Sequence, residues 1–308
     1  MLYSEVFRRW SRVRELALKP TTFFRQTESY RVHIGPAFGD CEVEEIATDM
    51  VVDFVSEKRE HGSPLRHPGP LADSSVSKIL SILRMSLKYA VAEGIIERNP
   101  CEQVYLRKSP PKRFVPYTPE EVRKLVAAAR PKWLGDAVLI AYKTGMRRGE
   151  VFGLQWGDVD FSTHTLRVDR SVAALKPGDK IISTPKTKRS YRTIEIDQEI
   201  IDLIKKRMWK AQRFTRVPEW VMYSKYGELL SPWYTTKYMT SSQKRAEIPH
   251  KRFHDLRHTH ASMLISAGVN PKIVQERLGH SNIMITMDTY NHVLPSMQRA
   301  AMSIVAAM

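Results

Sequence analysis

Five residues of this chain are of the types that attack on a phosphate ester requires: Arg147, His254, Arg257, His280 and Tyr290. They stand in Thr144-Gly-Met-Arg-Arg-Gly-Glu150, His254-Asp-Leu-Arg257, Leu278-Gly-His280 and Thr286-Met-Asp-Thr-Tyr290. A guanidinium presents parallel N–H groups that fork onto phosphate oxygens, and it stays charged. An imidazole moves protons near neutral pH, and a tyrosine oxygen can attack to form a covalent intermediate. In such an attack, charge builds on the non-bridging oxygens of a five-coordinate phosphorus. Without a metal, preorganised cationic donors must stabilise that charge. The departing oxygen needs a proton, and the tyrosine, with an ordinary pKa of about 10, must lose one. A lysine and a histidine in the right places could do both.

The elements that must position these groups are legible in outline. His254 and Arg257 are three apart on a helix expected over about 254–266, so they share a face. Leu256, Met263 and Leu264 are expected on the other side, toward a core. That helix ends near Gly268. Asn270-Pro271 caps and opens another, which stops at Gly279. The pair has the outline of a helix-turn-helix, a weak signal by itself. His280 directly follows the second helix, and Arg147 lies just past a helix end at Gly145. His254 and His258 have the i, i+4 spacing of metal ligands, but no third ligand is nearby in the sequence. Polar or packing contacts from His258 and His260 are the expectation.

Residues 4–105 read as helical. Val6, Trp10, Val13, Leu16 and Ala17 recur at helical spacing. Lys19-Pro-Thr-Thr22 opens a second helix that Gly35-Pro36 is expected to end. Asp49 can cap a third. A long fourth helix runs from about Ser74, with Val76, Ile79, Leu80, Leu83, Leu87 and Ala90 on one face and Gly94 as its stop. Gly62–Pro70 is a loop on composition. Arg107-Lys-Ser-Pro-Pro-Lys-Arg113 is a stiff basic linker. Thr118-Pro-Glu-Glu121 forms a capping box that opens the second domain. Between 163 and 196 the period changes. Thr165–Asp169, Lys180–Ser183 and Arg192–Ile196 look like three short strands, the first two turned by Lys176-Pro-Gly-Asp179. Five tryptophans (133, 156, 209, 220 and 233) are expected in the core. Lys205-Lys-Arg207 and Lys210 are expected to form a solvated helix face.

The chain has 308 residues and a net charge of +16, which points to a polyanionic partner, nucleic acid before membrane. Residues 1–110 hold 16 Lys+Arg and 15 Asp+Glu, while residues 111–308 hold 33 and 18, so the excess lies in the C-terminal part. Cys41 and Cys101 are the only cysteines, which fits a reducing compartment. No run approaches the ~20 apolar residues of a membrane span, and the N-terminus lacks a signal-peptide core. The expectation is a cytoplasmic protein.

Taken together and in order, Thr144-Gly-Met-Arg-Arg-Gly-Glu, His254-Asp-Leu-Arg-His-Thr, Leu278-Gly-His-Ser and Thr289-Tyr290 resemble the tyrosine recombinase (phage-type integrase) family. From His254 it is 3 positions to Arg257, a further 23 to His280 and a further 10 to Tyr290. The resemblance covers 118–293. The N-terminal helices, most clearly Lys19-Pro-Thr-Thr and His33-Ile-Gly-Pro-Ala-Phe-Gly39, resemble that family's core-binding domain.

The resemblance implies a mainly α protein. A four-helix core-binding domain would span 1–106, a basic linker 107–117, and a mixed α+β catalytic domain with a small three-stranded antiparallel sheet 118–308. It implies site-specific recombination through a 3′-phosphotyrosyl intermediate and a Holliday junction, for integration or excision of a mobile element. Arg147 and Arg257 would hold the scissile phosphate. His254 would accept the tyrosine proton or contact the phosphate, His280 would donate to a non-bridging oxygen, and Tyr290 would attack. The family's hairpin lysine carries over to Lys186, with Lys188 as the fallback, and Glu150 would buttress Arg147. No ATP, metal or other cofactor is implied. The implied partners are double-stranded DNA with specific core sites, three further copies of the chain in a tetramer on two DNA sites, and accessory directionality factors. An additional N-terminal arm-binding domain is expected to be absent. The apolar tail 293–308 is expected to pack on a neighbouring protomer. The alternatives are an Xer-like chromosome-dimer resolvase, a type IB topoisomerase-like or telomere-resolving enzyme, and a non-catalytic DNA-binding regulator that uses 254–279.

Overall fold

The computed structural model describes residues 1–63, 67–107, 114–184 and 191–280. The chain divides into two compact units, Met1–Arg113 and Phe114–Met308. Lys186, Lys188, Tyr290 and the tail 293–308 lie outside the described residues.

The first unit contains α1 (Tyr3–Ala17), α2 (Pro20–Ser29), α3 (Gly35–Phe38), α4 (Thr48–Glu60) and α5 (Asp73–Ala92). Tyr3, Val6, Phe7 and Trp10 form the buried stripe of α1. The Tyr3 hydroxyl meets Ser86 Oγ of α5 at 2.6 Å, which satisfies two buried polar groups at once. Phe7 stacks on Tyr30 with ring centroids 3.8 Å apart. Cys101 is buried, Cys41 is partly exposed, and neither forms a disulfide.

Three details of this unit depart from expectation. Gly35-Pro36 does not end the second helix. A π-helical turn over Tyr30–Ile34 leads directly into α3, and a widened turn ahead of a proline accommodates its missing N–H. Asp49 is not the cap of α4. Ala47 takes that position, and the Asp49 carboxylate accepts from the neighbouring Met50 N–H. The 62–70 loop carries a short antiparallel pair, β1 (Gly62–Ser63) with β2 (His67–Pro68).

The second unit holds α6 (Pro119–Ala128), α7 (Lys132–Thr144), α8 (Arg148–Phe152), α9 (Gln198–Ala211), α10 (Thr235–Arg245), α11 (His254–Ser266) and α12 (Pro271–Leu278). Its strands are β3 (Val159–Asp160), β4 (Thr165–Val168), β5 (Ser171–Ala173), β6 (Ile181–Ser183) and β7 (Arg192–Glu195). The capping box at the start of α6 is complete: Thr118 Oγ1 accepts from Glu121 N and Glu121 Oε2 accepts from Thr118 N. The three-stranded antiparallel sheet runs β3-β4-β7, with Leu166 opposite Ile194. Lys176–Asp179 does not turn β4 back on itself. It joins β5 to β6 in a separate hairpin with Val172 opposite Ile182. The sheet's third strand is instead Val159–Asp160. Leu166, Val168 and Ile194 bring the sheet's buried face into one core with Leu134, Val138 and Ile140 of α7 and Ile200, Ile201 and Ile204 of α9.

Four side chains depart from their expected burial. Trp209 is 71% exposed and Trp233 is 38% exposed, so only Trp133, Trp156 and Trp220 contribute to this core. Arg207 is buried rather than solvated. Its Nε donates to the Val221 carbonyl at 2.6 Å, and its guanidinium pairs with Asp136. Met263 is exposed, while Leu256 is in the main core and Leu264 packs on a smaller cluster with Ala261, Ile265, Val274 and Leu278.

Candidate active site

The site forms where the end of α7, the start of α8, the start of α11 and the end of α12 converge. α7 ends at Gly145 in the left-handed region (φ +69°). A Cβ there would come within 2.6 Å of Leu278 Cδ2 and 2.8 Å of His260 Cδ2, so both conformation and space require glycine. This turn delivers Arg147 to the N-cap of α8. Gly149 lets α8 approach β5 closely, since a Cβ there would lie 2.3 Å from Ser171 Oγ. α12 begins at Asn270, whose side chain accepts from Lys272 N, and it too ends on a left-handed glycine, Gly279. Its last carbonyls are thereby turned outward as acceptors.

Those carbonyls hold the two arginines. Arg257 is 1% exposed, and its Nη1 and Nη2 donate to the carbonyls of Gly145 at 2.9 Å and Leu278 at 2.7 Å. Arg147 Nη2 donates to the carbonyl of Gly279 at 3.1 Å. A guanidinium held by two or more carbonyls has its plane fixed. A helix C-terminus is also the electrostatically favoured place for a cation.

Glu150 supports Arg147 from the other side. Its Oε1 accepts from Arg147 Nη1 at 2.8 Å and its Oε2 from Arg147 N at 2.8 Å. Arg192 adds two further donors, Nη2 to Oε2 at 2.8 Å and Nη1 to Oε1 at 3.3 Å. Burial alone would raise this carboxyl's pKa. The charge and hydrogen bonds of Arg192, then the charges of Arg147 and Arg257, outweigh it and hold the pKa at about 2. The expected buttressing contact is therefore present, together with a second arginine that was not expected in the site. Nothing local in the sequence marks Arg192, because its partner lies 42 positions away.

The histidines are brought to the same place. His280 is buried, and desolvation followed by the charges of Arg257 and Arg147 lowers its pKa to about 3. Its backbone is clamped by Gln275, which accepts from His280 N through its main-chain carbonyl and donates from Nε2 to the His280 carbonyl. His254, the first residue of α11, keeps part of its surface exposed. Desolvation first, then His258, Arg257 and Arg147, favour its neutral form. The rings of His254 and His258 meet edge to face with centroids 4.8 Å apart, and His258 also packs against Phe114. Among the described residues no trio of metal-ligating side chains gathers here.

His260 and Arg277 are a second unexpected pair. Arg277 Nε donates to His260 Nε2 at 3.0 Å, which makes Nε2 the acceptor and Nδ1 the protonated nitrogen that donates to the Tyr142 carbonyl at 2.9 Å. Arg277 Nη2 reaches on to the carbonyl of Glu195 at 3.0 Å. Four of the six sequence-predicted site residues, Arg147, His254, Arg257 and His280, are thus brought together from the start of α8, from α11 and from the end of α12. Lys186 and Tyr290 lie outside the described residues.

Comparison with known proteins places this geometry. The profile of the phage integrase family matches residues 117–297, and that of the phage integrase N-terminal SAM-like domain matches residues 2–59. A tyrosine recombinase XerC-like protein of Caldanaerobacter subterraneus subsp. tengcongensis is 28% identical, over 93% of this chain and 78% of that protein. The ICEBs1 integrase of Bacillus subtilis is also 28% identical, over 92% of this chain and 77% of its own length. Among solved structures, the Tn1549 transposon integrase in complex with transposon right-end DNA superposes with a TM-score of 0.78 at 21% identity, covering 99% of this chain and all of that one. A lambda integrase dimer bound to a core site gives a TM-score of 0.69 at 22% identity, covering 93% of this chain and 94% of that one. The chain belongs to the phage integrase family of tyrosine recombinases.

Proposed function

We propose that the chain is the integrase of a mobile element, cutting and rejoining DNA through a 3′-phosphotyrosyl intermediate and a Holliday junction. The observation that carries this reading is the pair Arg147 and Arg257, both fixed by the carbonyls that end α7 and α12. Two rigid guanidiniums at one place are what a metal-free phosphoryl transfer needs against its developing charge. Tyr290 Oη attacks phosphorus as the P–O5′ bond breaks. The tyrosine proton passes to His254, whose neutral ring is able to accept it, and Lys186 (or Lys188 of the same segment) gives a proton to the departing 5′ oxygen. Neutral His280 donates an N–H to a non-bridging oxygen. Glu150 does not react; it holds Arg147.

The partner is double-stranded DNA, gripped through the basic excess of residues 111–308. The division 1–106, 107–117 and 118–308 gives a core-binding domain, a linker and a catalytic domain. A lambda integrase tetramer has been solved on a Holliday junction, and four copies on two DNA sites is the assembly proposed here, with accessory factors setting direction. The site of action is cytoplasmic DNA. No helix among the described residues is long and apolar enough to cross a membrane. An Xer-type resolvase is the second reading, because the XerC-like relative and the ICEBs1 integrase are equally similar at 28%.

The test is a recombination assay. Plasmids carrying the DNA that flanks the gene, paired with the reconstituted empty target, should be recombined by the purified protein. Recombination only between two copies of one chromosomal site would favour the resolvase reading, and no exchange on any paired site would contradict both.

A further inference from the structure

Arg192 is tied to both supports of the phosphate arginines. It is the first residue of β7, and its Cα is held in register opposite Val168 of β4. From there its Nη groups reach both oxygens of Glu150, the carboxylate that holds Arg147. Its Nε donates at 2.6 Å to the carbonyl of Arg277, one residue before the Leu278 and Gly279 carbonyls that hold Arg257 and Arg147. Arg277 closes the loop by donating to the Glu195 carbonyl of the same strand. The Arg192 and Glu150 side chains are 6% and 4% exposed, so solvent replaces little of this if it is lost. We propose that Arg192 is a positioning residue for cleavage, acting through Glu150 and through the main chain at the end of α12 to hold Arg147 and Arg257 in register with the phosphate. This rests on the recombinase reading of the same site.

The physical reason is one of charge and sharing. Removing one partner from a buried group of charges leaves the others poorly compensated, so they rearrange. With two guanidiniums, each Glu150 oxygen is shared, and Arg147 also keeps its bond to Gly279. Without Arg192, the charged groups among the described residues that still face Glu150 are Arg147, at the head of its own helix, and Arg257 from α11. Burial then acts with less opposition, so the carboxyl's pKa rises. Either a reoriented or a protonated Glu150 releases Arg147 from its fixed position. Misplacement of a clamp by about 1 Å can cost about 10²-fold in rate.

The experiment compares wild type, Arg192→Gln, Arg192→Lys and Glu150→Gln/Arg192→Gln, each as the full chain. The substrate is a nicked suicide duplex bearing a site selected by the wild-type protein from a random DNA pool. Half-site affinity and the single-turnover rate of covalent adduct formation are measured from pH 5 to 9. Arg192→Gln should bind near wild-type affinity but react about 10²-fold more slowly. Its acid limb should lie at higher pH than that of wild type, and this displacement should disappear in the double variant. Arg192→Lys should recover part of the rate and return the limb toward its wild-type position. A wild-type rate for Arg192→Gln overturns the inference. So does a rate loss that is equal at every pH, parallels the loss of affinity and is not relieved by lysine. If Arg192→Gln does not fold, Arg192→Lys decides: slower reaction at retained affinity supports the inference, and the wild-type rate refutes it. A wild type that forms no adduct refutes the recombinase reading itself, whereas a reactive wild type beside an unaffected Arg192→Gln refutes this inference alone.

Discussion

Arg257 Nη1 lies 2.9 Å from the carbonyl of Gly145, 112 positions away in sequence. One end of this candidate-site guanidinium is therefore set by the conformation of a helix-terminating glycine. Gly145 and Gly94 share the same φ of +69°, but a Cβ on Gly94 meets nothing within 4 Å, whereas one on Gly145 collides with Leu278 and His260.

This contrast makes a matched prediction. Gly94→Ala should cost only the left-handed penalty, roughly 1–2 kcal/mol. Gly145→Ala should cost that plus overpacking of about 1–3 kcal/mol, and should also depress DNA cleavage by shifting the Arg257 acceptor. Denaturant unfolding of both variants checks it. Equal losses for the two would show that the Gly145 contacts yield without cost.

A second prediction concerns His260 and pH. Desolvation, then the charge of Arg277, lowers its pKa to about 4 from an ordinary 6.5. The unfolded chain thus binds a proton at a pH where the folded one refuses it. The stability this histidine contributes is full above 6.5 and is lost as pH falls toward 4. His260→Asn should be less stable than wild type at pH 7, by about 1–3 kcal/mol for the unsatisfied Tyr142 carbonyl and Arg277. Going to pH 4 should remove roughly 3 kcal/mol of the wild-type advantage, closing or reversing the gap. A gap that is constant with pH would place the titration elsewhere.

Much of this site was legible from sequence where the signal is local. Gly145, Asn270-Pro271 and Gly279 punctuate helices by their own backbone chemistry, and the structure uses each as expected. Local rules misled where long-range partners decide. Gly35-Pro36 reads as a stop, yet a π turn carries the chain through it. Lys205-Lys-Arg207 reads as one solvated face, yet Asp136 and the Val221 carbonyl draw Arg207 inward. Arg192 was invisible as a site residue because its meaning lies in Glu150 and Arg277, which only the fold brings to it.

The histidines beside the two arginines predict a proton linkage. His280 is neutral above a pKa of about 3, and His254 is likewise held below its ordinary value. A phosphate placed between them favours their charged forms. DNA binding should take up protons as pH falls toward these lowered values, so affinity should rise in that direction. Calorimetry in two buffers of different ionisation enthalpy reads the uptake. His280→Asn should reduce it, and an unchanged uptake would remove His280 from the phosphate contact.

The charge distribution predicts steep salt dependence. With 33 basic against 18 acidic residues beyond position 110, duplex affinity should fall on the order of 10³-fold or more between about 50 and 200 mM salt. Fluorescence anisotropy on a selected duplex measures it. A slope corresponding to only one or two phosphates would contradict a backbone grip by this unit.

The most direct measurement identifies the covalent bond. Wild-type protein trapped on a nicked suicide duplex is digested with nuclease and trypsin, and the nucleotide-bearing peptide is sequenced by mass spectrometry. The peptide running from Leu278 to Arg299, in which Tyr290 is the only tyrosine, is expected to carry the 3′-phosphate, and Tyr290→Phe to bind the duplex without forming the adduct. An adduct on any other residue, a 5′ linkage, or an adduct that persists in Tyr290→Phe would contradict this expectation.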